Sequence, residues 1–259
     1  MNEILLIVAI LPVILLLSFI YKKDRNKEPT KLLIKFFFLG VVSTILAVVI
    51  TVILEAFIPF LSMNTENMNH FELFIYVFIF IAFIEEFCKW FMTYKVGYNN
   101  QEFDEMYDMI VYSTFVALGF AAFENILYVF SENSIIVGIS RGLLAVPGHM
   151  CDGIFMGYYL SKAKFYNLSN DKKSENINKI KSILIPTLLH GIYDFCCFAQ
   201  ESIFLIIFFV FIINLYIYAS KKLKEMSKVI KKLKYKNNFC PNCGSKIDGD
   251  YCRICGLKQ

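Results

Sequence analysis

Two glutamates and a lysine stand inside an apolar run. The run, FELFIYVFIFIAFIEEFCKWFMTY at 71–94, is long enough to cross a bilayer, and it carries Glu85, Glu86 and Lys89. A charge at the centre of a membrane helix costs about 2.5–3.5 kcal/mol on insertion scales. Each of these residues therefore calls for a compensating contact or a chemical task. Three later apolar segments carry a similar load: Glu124 and Asn125 in FENILY, Arg141, His149 and Asp152 in RGLLAVPGHMCDG, and His190, Tyr193 and Asp194 in LHGIYDF. The chain has 3 histidines, and two of them belong to this set.

The spacing is helical. Glu85 and Lys89 are four apart and share a face, as do His190 and Asp194, and Glu124 and Tyr128. Glu86 points about 100 degrees away from Glu85 and still reaches Lys89 at three residues. At about 1.5 Å rise per residue, Glu85, His149 and His190 lie within about two turns of the middle of their segments. Four helices thus bring polar groups to one depth. A single Glu–Lys pair serves as interhelical glue, and a single histidine as a hydrogen-bond donor. A convergence of this size points to chemistry. Carboxylate and imidazole together can activate a water for attack on an amide, and a second imidazole can stabilise the oxyanion. Lys89 can hold one glutamate ionised while the other acts as base. The same residue types suit a zinc ion, or a proton relay.

The elements that must position these groups are membrane helices. The chain of 259 residues is 57% hydrophobic, against about 45–50% for soluble domains, and its mean hydropathy is +0.56. Apolar segments fall at about 3–21, 33–60, 72–94, 109–130, 134–161, 182–200 and 201–220. The segment 134–161 holds Pro147 and Gly148 and is expected to be one kinked helix, or a helix with a re-entrant start. The Lys-rich stretches are 21–31, 161–181 and the tail after 220. The positive-inside rule places all three in the cytoplasm, which requires seven passes with the N-terminus outside. The expected fold is all-α and polytopic, in the cell membrane, with a cytoplasmic C-terminus. The N-terminal apolar run lacks a basic leader and a small-residue cleavage site, and is expected to be a retained transmembrane helix. Cys88, Cys151, Cys196 and Cys197 fall in apolar segments and are expected to be small buried hydrophobes.

The chain divides into a membrane domain at 1–220, a basic amphipathic helix at 221–236 suited to an anionic lipid surface, and a terminal module at 237–259. That module, CPNCGSKIDGDYCRIC, sets Cys240, Cys243, Cys252 and Cys255 in two CxxC knuckles. Four thiolates at this spacing are a zinc ribbon, and a reducing cytoplasm disfavours disulfides. A ribbon this small more often docks a protein than performs a reaction. Only Tyr251 offers a stacking surface, so there is no clear nucleic-acid site.

The ordered set YKKDRNKEP (21–29), EEFCK (85–89), FENILY (123–128), RGLLAVPGHMCDGIFMGYYL (141–160) and LHGIYDF (189–195) resembles the PrsW family of intramembrane proteases, relatives of the CAAX-prenyl-protease and bacteriocin-processing superfamily. The resemblance covers nearly all of 1–220. It implies a protease that cuts a single-pass membrane protein, an anti-sigma factor, at the first step of regulated proteolysis in stress signalling. It implies Glu85 as the water-activating base and Glu86 as its support or partner in that role. It implies His149 and His190 as the imidazoles at water and oxyanion. Asp194 stands where the wider superfamily often carries Asn, and implies a residue that orients His190. Glu124 stands where that superfamily tends to carry a histidine-bearing motif. Lys89 and Arg141 are supporting residues. Whether the membrane site uses a metal is left open, and the ribbon is an addition that suits a cytoplasmic partner. Two other enzyme-free readings stand beside this one. A non-catalytic scaffold predicts a silent Glu85→Gln. A proton-coupled transporter predicts inverted repeats with paired helix breaks, whereas the chain has one break and no repeat. Within the enzyme class, a CAAX-type prenyl protease would share the chemistry and require a prenylated substrate.

Overall fold

The computed structural model describes residues 2–227, a series of helices joined by short loops, with no strand among the described residues. The ribbon and most of the 221–236 helix lie outside the described residues. Nine α-helices follow in chain order: α1 (Asn2–Lys23), α2 (Thr30–Phe57), α3 (His70–Ile75), α4 (Phe83–Gly97), α5 (Asp108–Ser131), α6 (Ile135–Leu143), α7 (Ala145–Leu168), α8 (Lys172–Phe198) and α9 (Ser202–Met226). Five of them, α1, α2, α5, α8 and α9, are long and apolar enough to cross a membrane.

The other two expected segments are interrupted, and both interruptions lie next to the charged residues. The first opens with a capping box, in which Asn69 accepts from the Glu72 amide and Glu72 accepts from the Asn69 amide. It then passes from α3 through a π-helical stretch, Tyr76–Ala82, into α4. Such widened turns concentrate at functional sites, and this one ends three residues before Glu85. The second breaks at Leu144, which lies between α6 and α7 with φ −118° and ψ −61°. Pro147 falls in the first turn of α7, where a missing N–H costs nothing. The expected kinked segment is thus two helices in sequence, with the break five residues before His149.

α5 is the central helix and packs on α1, α2, α4, α6 and α7. Small residues let its neighbours approach to backbone contact. A Cβ on Gly119 would lie 2.0 Å from the Phe37 carbonyl oxygen of α2, and one on Gly40 would lie 2.1 Å from that of Val116. Gly153 and Gly157, one turn apart on α7, press on the α5 backbone at Thr114 and Met109. This is the small-xxx-small route to close packing where lipid offers no hydrophobic drive.

Helix ends meet at two poles. At one, the Tyr112 hydroxyl of α5 donates to Glu28, just ahead of α2. There Lys164 of α7 donates to the Tyr98 carbonyl after α4 at 2.8 Å, and the Tyr98 hydroxyl to Glu175 of α8. At the other, His70, the first residue of α3, meets Glu201 ahead of α9 at 2.9 Å. Two expectations change. The polar stretch 161–181 is mostly helix, because α7 runs on to Leu168 and Asp171 caps α8 by accepting from the Ser174 amide. Hydropathy stops at the bilayer, while helix propensity and capping do not. Cys88, Cys151 and Cys196 are buried as expected, but Cys197 is exposed on the outer side of α8.

Candidate active site

α4, α5, α7 and α8 bring the intramembrane charges together. On α4 the 100-degree step separates the two glutamates. Glu86 and Lys89 turn into the bundle and are fully buried, while 18% of the Glu85 side chain stays exposed. Lys89 Nζ donates to Glu86 Oε1 at 2.7 Å and lies 3.6 Å from Glu85 Oε2. It also sits 3.9 Å above the Phe120 ring of α5, a cation–π contact that a desolvated ammonium favours.

Each histidine is fixed on two sides. His149 Nδ1 is 3.1 Å from Lys89 Nζ, and Nε2 is 2.9 Å from Glu124 Oε2. An ammonium can only donate, so Nδ1 accepts and Nε2–H donates to Glu124. Arg141 holds Glu124 from the far side: its Nη2 donates to Glu124 Oε2 at 2.7 Å, its Nε donates to Asn125 Oδ1 at 3.0 Å, and its guanidinium lies over the Tyr128 ring. His190 Nδ1 is 2.9 Å from Glu86 Oε1. Its Nε2 is 3.2 Å from Asp194 Oδ2 and 3.8 Å from Glu85 Oε2. The two imidazoles meet edge to face with centroids 5.2 Å apart. Pro186, inside α8, removes one helical hydrogen bond a turn before His190.

All eight membrane residues given a role from the sequence therefore meet here: Glu85, Glu86, Lys89, Glu124, Arg141, His149, His190 and Asp194. Cys240, Cys243, Cys252 and Cys255 lie outside the described residues. The third histidine, His70, is away from the site, at the pole where α3 and α9 begin. Asp152 had not been given a role, and it belongs in the cluster. It lies one turn after His149 on the same face of α7 and is 3% exposed. That three-residue spacing from a site histidine was the available signal.

The donor set tests whether a metal fits. Ligand atoms of Glu86, His149, Asp152 and His190 all lie within 4.8 Å of one another. Two imidazoles with two carboxylates suit zinc. Among the described residues five buried side-chain polar atoms lack a hydrogen-bond partner, and Glu85 Oε2, Glu86 Oε2 and Asp152 Oδ1 are three of them. Buried carboxylate oxygens without donors are rare unless water or an ion meets them. The set fits. Lys89 is the competing cation, and an ion held by Glu86 and His149 must share them with its ammonium or push it aside. Beside these groups lies a cavity of about 40 Å³, lined by Glu124, Arg141, His149, Asp152, His190, Tyr193 and Asp194 together with Leu189 and Leu215. It has room for a water or an ion, not for a peptide. Glu85 stands behind His190 and does not line it.

Comparison with known proteins identifies the arrangement. A profile described as PrsW family intramembrane metalloprotease matches residues 28–219. The chain belongs to the PrsW family of intramembrane proteases. It is 40% identical to Protease PrsW of Oceanobacillus iheyensis over 220 residues, covering 85% of this chain and 94% of that protein. It is 34% identical to Protease PrsW of Clostridioides difficile, covering 90% and 95%, and 38% identical to Protease PrsW of Bacillus subtilis, covering 75% and 83%. No solved structure matches. Membership makes the chain a multi-pass membrane protease. It also brings the family's description as a metalloprotease to a cluster whose donors suit a metal.

Proposed function

We propose that this protease cuts the membrane segment of a single-pass protein, a membrane-anchored anti-sigma factor, using a water activated among Glu85, Glu86, His149 and His190. The observation that carries the proposal is the meeting of these groups with Asp152 and three partnerless carboxylate oxygens inside a helical bundle. The substrate rests on the family resemblance. Glu86, His149, Asp152 and His190 would hold the metal, which when bound supplies a polarised carbonyl and a water of lowered pKa. Glu85 does not line the cavity and would act as the base by way of His190, whose Nε2 lies 3.8 Å from its Oε2, an oxygen with no donor of its own. Without an ion Glu86 holds Lys89 and His190 through Oε1; an ion would take its free Oε2 and compete with it for the His190 nitrogen. Glu124, held by Arg141, fixes the His149 tautomer, so that its Nδ1 keeps a lone pair toward the site. Asp194 holds His190 Nε2.

In the membrane we propose seven passes with the N-terminus outside, α3 with α4 and α6 with α7 each counting as one. The alternating poles of the bundle and the Lys-rich 161–181 stretch support this orientation. The basic 221–236 segment would rest on anionic lipid, and the zinc ribbon at 237–259 would dock a cytoplasmic protein.

The test compares membranes holding the wild type with membranes holding Glu85→Gln, mapping new termini of single-pass proteins. One or a few proteins cut near their extracytoplasmic boundary by the wild type alone are expected. Identical fragments at equal enzyme abundance would overturn the catalytic role of Glu85.

A further inference from the structure

The catalytic groups are nearly sealed. Side-chain exposures run from 0% at Glu86 and Lys89 to 18% at Glu85. A peptide must nevertheless arrive from the lipid. Next to the site, α7, α8 and α9 leave an open groove of about 290 Å³, lined by Phe155, Ile185, Phe211, Asn214 and Tyr218 with Leu189 and Leu215. Those last two leucines also line the catalytic cavity. They are the wall between the groove and the chemistry. α9 carries one edge. It packs on α7 and α8, and the Tyr216 hydroxyl pins it to the α6–α7 break by donating to the Leu144 carbonyl at 2.9 Å.

Asn214 is out of place on that helix. It is the one amide side chain between Ile203 and Ala219, an otherwise apolar stretch with two tyrosines. It is exposed at the rim of the groove. Its Nδ2 is folded back on the Val210 carbonyl of its own helix at 2.7 Å, and among the described residues no protein group pairs with its Oδ1. A polar side chain on a lipid-facing helix is costly and tends to mark function.

Resting on the protease reading, we propose that the α7–α8–α9 groove docks the apolar transmembrane segment of the substrate, with Leu189 and Leu215 parting to admit it and Asn214 binding its unwound backbone. A helical amide cannot be cut until it leaves its helix. In lipid each freed N–H and C=O then costs several kcal/mol. The Asn214 amide supplies one acceptor and one donor at the point of entry, so it lowers that cost beside the cavity. The apolar lining takes the side chains that remain.

The experiment uses the full chain with Glu85→Gln, so that substrate is held and not cut. A photo-crosslinking residue is placed at Phe211 in the groove or at Ile206, a lipid-facing position of α9 that is 61% exposed. The probe is the single-pass protein whose fragments depend on Glu85. Crosslinks to it from 211 and not from 206 are expected. Lipid adducts alone at 211, or equal crosslinking from both positions, would overturn the docking proposal while leaving the protease reading intact. In otherwise wild-type enzyme, Asn214→Leu should slow cleavage about tenfold, the rate equivalent of one well-made hydrogen bond. A Gly-Pro pair placed beside the cut in the probe should restore it. If the slow rate persists with that pre-unwound probe, Asn214 acts on the fold and not on the substrate.

Discussion

Lys89→Met tests whether the buried charges are one unit. Lys89 is fully buried, 2.7 Å from Glu86 Oε1 and 3.6 Å from Glu85 Oε2. At an effective dielectric constant of about 20 these separations correspond to attractions of about 6 and about 5 kcal/mol. Burying the ammonium offsets most of that sum. What counts is the change on removal, because methionine leaves the carboxylates buried with only histidines and Arg141 for company. Breaking one side of a buried pair costs about 3–5 kcal/mol, a large part of a total stability of about 5–15 kcal/mol. Glu86→Gln should cost less, since Lys89 keeps Glu85 and the Phe120 ring. Lys89→Met combined with Glu86→Gln should be more stable than the sum of the two predicts, by about 0.5–3 kcal/mol. The assay is thermal unfolding of the purified chain in lipid bicelles for wild type, both single variants and the double variant. Strictly additive losses, or Lys89→Met as stable as the wild type, would refute the idea that Lys89 holds the site together.

The remaining expectations concern other links in the chain from sequence to activity. Gly119→Val should cost at least about 3 kcal/mol, the top of the usual overpacking range, because the new side chain meets a backbone carbonyl; size-exclusion chromatography should show little folded protein. Just ahead of α2, burial pushes the Glu28 carboxyl from its ordinary 4.5 up to about 7, against the pull of the Tyr112 hydroxyl and with the push of Asp24, Glu102 and Asp104. The unfolded chain then loses its proton first, so stability falls as pH rises between those values and levels off above about 7; Glu28→Gln, which still accepts from Tyr112, should flatten that slope in melts across this range. Elemental analysis of the full chain should find two metal ions. One should be lost with Cys240→Ser plus Cys243→Ser, and the other with His149→Ala plus Asp152→Ala.

The site was legible in the sequence to an unusual degree because the bilayer filters it. In a soluble enzyme Glu85 and Lys89 would vanish among surface charges. In an apolar run they stand out, and helical spacing then says which of them share a face. Asp152 was noted but given no role, because it was weighed as one polar residue among several, although its place three residues after His149 put it on the site's side of α7. Pairing across helices was not legible. Glu86 of α4 meets His190 of α8, and His149 of α7 meets Glu124 of α5, and only the packing of the helices decides that. Hydropathy marked seven segments but could not register the π-helical stretch before Glu85, which leaves composition unchanged, whereas Pro147 and Gly148 signalled the break in 134–161, which falls three residues earlier at Leu144. The glycines that let α2 and α7 touch α5 carry no hydropathic signal either.

The adjacency of Glu85 and Glu86 now has a physical reason. Two carboxylates side by side on a helix cannot face the same way, and on α4 they do not. Glu86 is turned inward, where Lys89 and His190 saturate one of its oxygens. That makes it part of the frame. Glu85 is turned toward the edge, where it makes no hydrogen bond through Oε2 and keeps some exposure. In the proposed reaction a base has to release a proton as well as take one, and a carboxylate already committed to an ammonium and an imidazole is poorly placed for that. The lysine serves both roles at once, binding one glutamate tightly and biasing the other from 3.6 Å. If this division of labour holds, Glu85→Gln should abolish cleavage with an unchanged melting temperature, whereas Glu86→Gln should lower both. Equal effects of the two on activity and stability would mean that the pair shares the base role, and that its sequence order carries no mechanistic meaning.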